Sequence, residues 1–144
     1  MGSSVNPTKT IGTADIDLGS TDNTSCIPLD LQISGKTTFD CDDATKEFDV
    51  YLIGTDGSGN TSRDTTTILV LDTVKPVIVL KPTLPDFYLD VNGSEIIEPA
   101  DIDGGTYDNC GIQLREIIGD TLVCSDGPVK QIIFKVTDKF GNVS

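Results

Sequence analysis

Ala14-Asp15-Ile16-Asp17-Leu18-Gly19-Ser20-Thr21-Asp22-Asn23 returns 86 residues on as Ala100-Asp101-Ile102-Asp103-Gly104-Gly105-Thr106-Tyr107-Asp108-Asn109. A second stretch, Thr55-Asp56-Gly57-Ser58-Gly59-Asn60-Thr61-Ser62, returns 82 residues on as Thr137-Asp138-Lys139-Phe140-Gly141-Asn142-Val143-Ser144. Two landmarks recurring at nearly one spacing make the chain a tandem repeat, and a repeat dictates architecture before any strand is assigned. The small difference in spacing is a length change of the kind loops absorb.

Between the landmarks each copy carries a Cys, an alternating apolar stretch, a second Cys and another alternating stretch. In the first copy these are Cys26, Leu29/Leu31/Ile33, Cys41 and Phe48/Val50/Leu52; in the second, Cys110, Ile112/Leu114, Cys124 and Ile132/Phe134/Val136. Period-two alternation bounded by Gly, Asn and Asp predicts half-buried strands. No segment predicts a helix. Short strands at this spacing predict an all-β fold of two tandem immunoglobulin-like β-sandwich repeats, incomplete at both ends.

Residues 1–7 read as tag and linker, 8–71 as the first repeat, 72–76 as a stiff connection and 77–144 as the second. The connection is Asp72-Thr73-Val74-Lys75-Pro76, where Pro cannot donate to a ladder and holds its predecessor extended. Strands are expected at Val77 to Leu80, Phe87 to Val91 and Ser94 to Glu98 in the second copy. The first copy has only a short start from Thr8 to Ala14, but adds a last strand from Thr66 to Leu71 before the connection. The second copy ends at Ser144 before such a strand, so the chain reads as cut from a longer array, with sheet edges open to dimerisation or strand exchange.

Composition narrows the function. Ten Lys and Arg against 23 Asp and Glu give a net charge of −13, which repels nucleic acid and anionic lipid and suits hard cations with oxygen ligands. The chain contains no His, which removes Ser-His-Asp and Cys-His catalysis and His-ligated metal sites. It also has no Trp, so cores are expected to be thin and built from Val, Ile, Leu and a few Phe. Nothing is apolar over enough length to span a membrane as a helix. Met1-Gly2-Ser3-Ser4 lacks the charged and apolar regions of a signal peptide and reads as a scar of recombinant expression, which puts any export signal elsewhere.

The succession Asp-Ile-Asp-x-Gly-[Ser/Thr]-x-Asp-Asn, Cys, Cys, Thr-Asp-x-x-Gly-Asn, Asp-Thr-x-x-Pro resembles the tandem repeats of giant Bacteroidetes surface adhesins, including the SprB-type gliding-motility adhesin, and more loosely hyalin-type (HYR-like) immunoglobulin-like repeats. The likeness covers nearly the whole chain beyond about residue 10. It implies secretion, display at the cell surface, and a structural or adhesive role in attachment or gliding motility, with no enzymatic activity. It also implies O-glycosylation at triplets such as Asp72-Thr73-Val74 and Asp120-Thr121-Leu122. The first copy departs from the pattern: Thr24 and Ser25 separate Asp22-Asn23 from Cys26, where such repeats place Cys at once, as Asn109-Cys110 does.

The acidic loops carry the chemistry. Asp15, Asp17, Asp22 and Asn23 are mirrored by Asp101, Asp103, Asp108 and Asn109. A second loop, with Asp56 and Asn60 or Asp138 and Asn142, completes a calcium shell if it sits at the same end of the module; Asp72 is a candidate ligand bridging repeats. Calcium takes six to eight oxygens at about 2.3–2.6 Å in irregular geometry. The loop is no EF-hand, since Cys26 and Ile112 stand where bidentate Glu belongs. The competing interpretation is turn chemistry, with Asp and Asn bonding their own backbone; Thr-Asp-x-x-Gly-Asn in particular predicts a hairpin turn with Gly59 or Gly141 at positive φ. Clustering of uncompensated carboxylates favours Ca²⁺ for the first loop.

Four cysteines in equivalent positions invite the disulfides Cys26–Cys41 and Cys110–Cys124, although three connectivities exist and buried free thiols are the alternative. Loops of that size would add about 3 kcal/mol in the chain-entropy model. Zinc is disfavoured because no Cys-x-x-Cys spacing occurs. The many carboxylate pairs make any glycosidase reading uninformative. Tyr107 reads as a cover for its loop, and the sequons at Asn23, Asn60, Asn92 and Asn142 carry no weight. The expected partners are neighbouring repeats, with surface polysaccharide or other cells as targets. The rival functions are a glycan- or cell-binding module and an accessory domain of a secreted hydrolase.

Overall fold

A computed structural model describes residues 7–23, 28–127 and 129–144. They form two compact units, 7–72 and 73–144. The structure is all-β, built of antiparallel sheets, with two four-residue helices. Among the described residues no helix is long and apolar enough to cross a membrane.

In the first unit β1 (Lys9–Thr10) pairs with β3 (Thr38–Phe39), and a three-stranded sheet runs in the order β2 (Asp30–Gly35), β4 (Glu47–Thr55), β5 (Thr61–Leu69). Helix α1 (Thr13–Ile16) precedes β2, and a 3-10 turn, Cys41–Asp43, joins β3 to β4. The alternation predicted for β2 and β4 is present: Val50 is fully buried, and Phe39 packs on Phe48 with ring centroids 5.3 Å apart, joining the two sheets. The last strand begins at Thr61, earlier than the Thr66 expected. Its first seven residues contain no apolar side chain, so burial gives no signal there; backbone pairing to β4 from Thr55↔Thr61 to Glu47↔Leu69 defines the strand instead.

The second unit contains β6 (Ser94–Ile96) paired with β8 (Thr121–Val123), and β7 (Ile112–Ile118) paired with β9 (Ile133–Asp138). Helix α2 (Pro99–Ile102) leads into its acidic loop. Buried apolar side chains here are Ile97, Ile102 and Val136. Val77 and Leu80 do not begin a full strand but bridge to Tyr107 and Asp103. The segment can lie this close because residue 104 is Gly: a Cβ there would stand 2.7 Å from the carbonyl of Leu80. Residues 87–91 form no strand. Pro82 and Pro85 remove donors just before them, and Asp90 closes a turn on Asn92 and Ser94.

The short helices were not legible from periodicity because each is a single turn. They occupy equivalent places, and each is closed by its own Asp. Asp15 Oδ2 accepts the N–H of Gly12 at 2.8 Å, and Asp101 Oδ2 accepts that of Glu98 at 2.8 Å.

Candidate metal centre

The predicted site residues separate into two groups. Asp15 and Asp101 close helix starts, as above. Asp17 Oδ1 accepts the N–H groups of Gly19 and Ser20 and the hydroxyl of Ser20; the hydroxyl and then the two N–H groups hold its carboxyl below the ordinary range. Asp103 Oδ1 likewise accepts the N–H groups of Gly105 and Thr106. Its Oδ2 lies 2.8 Å from Arg115 Nε, an ion pair too bent to be a linear hydrogen bond, while the Arg115 Nη2 donates to the Thr106 carbonyl. Burial pushes Asp103 up, but these donors and the guanidinium bring it below its usual value. All four residues therefore do turn and cap chemistry, and Asp103 already has a cation. The sequence reading missed Arg115: it sits on β7, and nothing in its spacing ties it to a loop nine residues earlier.

The second group faces the end of each unit. The Thr-Asp-x-x-Gly-Asn turns are the same in both copies. Asp56 Oδ1 accepts the N–H groups of Ser58 and Asn60 at 2.8 Å, and Oδ2 accepts the Asn60 side-chain amide at 2.7 Å. Asp138 makes the same bonds to Phe140 and Asn142 at the same distances. Gly59 and Gly141 take φ of 85° and 89°, as this turn requires. Asp138 is fully buried. Burial raises its pKa, but the Asn142 side chain and the N–H groups of Asn142, Phe140 and Gly141 together outweigh that and leave it lowered, so it is ionised at neutral pH.

In the second unit Asp108 meets this turn. Its Oδ1 accepts the N–H groups of Cys110 and Gly111, and a carboxylate oxygen of Asp108 lies within 4.8 Å of one of Asp138. Asp108 Oδ2 is buried and makes no hydrogen bond among the described residues. The ion pairs among those residues are Lys36–Asp43, Arg115–Asp103, Lys130–Asp126 and Lys135–Glu116; none reaches Asp108 or Asp138. Two carboxylates at such a separation, when both carry charge, repel by on the order of 3 kcal/mol at the effective dielectric of ~20 that suits protein sites. A hard divalent cation, with water completing its oxygen shell, would turn that repulsion into attraction. The donors fit such an ion: all are oxygens, and one has no other partner among the described residues. Asn109 and Asn142 flank the pair in sequence.

In the first unit the corresponding loops share one cleft of about 400 Å³, with Ser20, Thr21 and Asp22 on one wall and Asp56, Asn60 and Asp64 on another. Leu29, Leu31 and Leu52 also line it. Asp22 is exposed and accepts the N–H of Asn23. The two loops thus sit at one end of the module, as calcium binding requires, but the cleft between them is open. Asp64 was not foreseen, because it falls in the polar run of β5. Asp72 is half-buried at the last position of the unit.

The cysteines correct one expectation. Cys41 and Cys110 are disulfide-bonded, but Cys124 is a free, exposed thiol, so the pair Cys110–Cys124 is not made. Cys124 follows β8, which pairs with β6, whereas Cys110 precedes β7, which pairs with β9, so the two lie on different sheets. Cys124 Sγ instead lies 3.6 Å from the Gly93 carbonyl. Cys26 lies outside the described residues.

Comparison with protein-family models, curated proteins and solved structures finds no match to this chain.

Proposed function

We propose that this chain is a pair of calcium-stiffened, immunoglobulin-like modules from the structural or adhesive region of a secreted cell-surface protein, acting in attachment or gliding motility and carrying no catalytic centre. The observation that carries the reading is the approach of Asp108 and Asp138 to within 4.8 Å without a basic partner among the described residues. Such a pair is stable when a cation lies between its members. The cation would then tie the acidic loop to the β9 turn and make the end of the module rigid. Disulfide-bonded Cys41 and Cys110 favour an oxidising, extracytoplasmic setting. The resemblance of the repeat to surface adhesins points the same way, and the net charge of −13 argues against nucleic acid as a partner.

One observation favours a second reading. The open cleft of the first unit combines leucines with Asp, Asn, Ser and Thr, a lining that suits a saccharide as well as an ion. Titration calorimetry separates the two. A stalk module takes up calcium and gives no heat with polysaccharide in calcium buffer. A binding module gives saturable glycan heat that Asp56→Ala or Asp64→Ala removes. Absence of calcium uptake would overturn the proposal.

A further inference from the structure

The carboxylates of Asp108 and Asp138 have a positive charge of the chain's own close by. Lys139 follows Asp138 in its turn, and the backbone N–H of Lys139 donates to the carbonyl of Gly111 at 3.1 Å. Gly111 donates its own N–H to Asp108 Oδ1 at 3.0 Å, so one glycine ties the turn of Asp138 to the loop of Asp108. The Lys139 side chain lies along that same glycine. A Cβ at position 111 would stand 3.2 Å from Lys139 Cε and 3.3 Å from its Nζ, and the residue takes a φ of 102°. A side chain at 111 would therefore crowd the lysine as well as strain the backbone. Lys139 is exposed, and it enters none of the ion pairs among the described residues. Its stem rests on the loop while its ammonium stays in water, a mobile charge at the rim of the carboxylate pair. The first unit supplies the contrast: its turn makes the same bonds, but the place of Lys139 is taken by Gly57, which brings no charge.

We propose that Lys139 sets how tightly the Asp108–Asp138 site holds a divalent cation, its ammonium acting as a tethered counter-charge that the ion must outweigh. The proposal rests on the reading of this pair as a cation site. The affinity of an oxygen site for calcium follows the charge its ligands supply. Here one ammonium offsets one of the two negative charges that the carboxylates carry when both are ionised. Without metal, the same ammonium relieves part of their repulsion. Because the ammonium is exposed, its influence is screened by salt, whereas the packing of its stem on Gly111 is not.

The test uses the full oxidised chain as wild type, as Lys139→Met, which keeps the stem and removes the charge, and as Lys139→Arg, which keeps the charge. Calcium is titrated into each by calorimetry at low and at high ionic strength. Lys139→Met should bind calcium roughly fivefold more tightly than wild type at low salt, and the gain should shrink at high salt. Lys139→Arg should match wild type. In EDTA, Lys139→Met should lower the melting temperature, and by less when Asp108→Asn is also present. Equal calcium affinity of wild type and Lys139→Met, both binding, would overturn the proposal and leave the cation site standing. A gain that Lys139→Arg shares, or that salt does not reduce, would overturn it as well, since packing on Gly111 would then be the cause. No calcium uptake by any of the three proteins would overturn the cation site, and this proposal with it.

Discussion

Asp108 lies just before β7 and Asp138 is the last residue of β9, and because Ile112 at the start of β7 pairs with Asp138 the two meet at one end of the strand pair, with a carboxylate oxygen of one within 4.8 Å of a carboxylate oxygen of the other. Asp138 is fixed by its own turn, and Asp108 by the N–H groups of Cys110 and Gly111, so neither swings away without breaking local bonds. On the proposed reading this geometry costs free energy without a cation and contributes it with one, which makes stability depend on metal in a residue-specific way.

Substitution of Asp108 by Asn should therefore change sign with conditions. In EDTA, Asp108→Asn removes the repulsion while an amide oxygen still accepts the two N–H groups, and stability should rise by about 1 kcal/mol or more. In calcium at a hundred times its dissociation constant the wild-type chain should gain about 2.7 kcal/mol that the variant lacks. Chemical denaturation of both proteins in both buffers checks the crossover.

Acid should destabilise the metal-free protein. Asp17, Asp56, Asp90 and Asp138 all have pKa values lowered from 3.8 by hydrogen bonds they lose on unfolding. A carboxyl lowered in the folded state contributes stability that is complete above its unfolded pKa and is lost as pH falls through the folded one. Stability should thus be level from about pH 7 to 5 and decline below about 4. Relief of the net negative charge acts in the opposite direction, so a denaturation series in which stability rises from pH 5 to 3 would show that general repulsion dominates these turns.

Gly104 and Leu18 occupy equivalent places with different surroundings. Gly104→Ala drives a Cβ to 2.7 Å from the Leu80 backbone and should cost about 1–3 kcal/mol by prising Val77–Lys81 from the acidic loop. Leu18 is fully exposed, and Leu18→Ala should change stability by less than about 0.5 kcal/mol. Thermal melts of the two variants check the contrast.

Cys124 should react in the native, non-reduced protein with a maleimide, whereas Cys41 and Cys110 should not. Peptide mapping of the labelled chain reads this directly. A disulfide-linked peptide joining Cys110 to Cys124 would restore the expected bond.

Much of this was legible in the sequence because the repeat carries its own turn chemistry. Asp56 with Asn60 and Asp138 with Asn142 spell a turn, and the structure makes the same three bonds in each. Alternation located β2, β4, β7 and β9, whose apolar faces bury Val50 and Val136. The early part of β5 was hidden because a threonine-rich edge strand is held by backbone pairing, which leaves no apolar mark. Phe87 to Val91 misled in the opposite way, since its alternation is real but prolines precede it. Which acidic residues converge was not legible. Asp15, Asp17, Asp101 and Asp103 share composition with Asp108, and only the positions of helix starts and of Arg115 separate the turn formers from the pair left for a cation.

The most direct measurement is the melting temperature of the oxidised protein in EDTA, in magnesium and in calcium at matched ionic strength, for the wild-type chain and Asp108→Asn. Calcium ions should raise the wild-type value by several degrees more than magnesium does, and Asp108→Asn should abolish the difference. Three superimposable wild-type curves would contradict the account and reduce the acidic loops to turns.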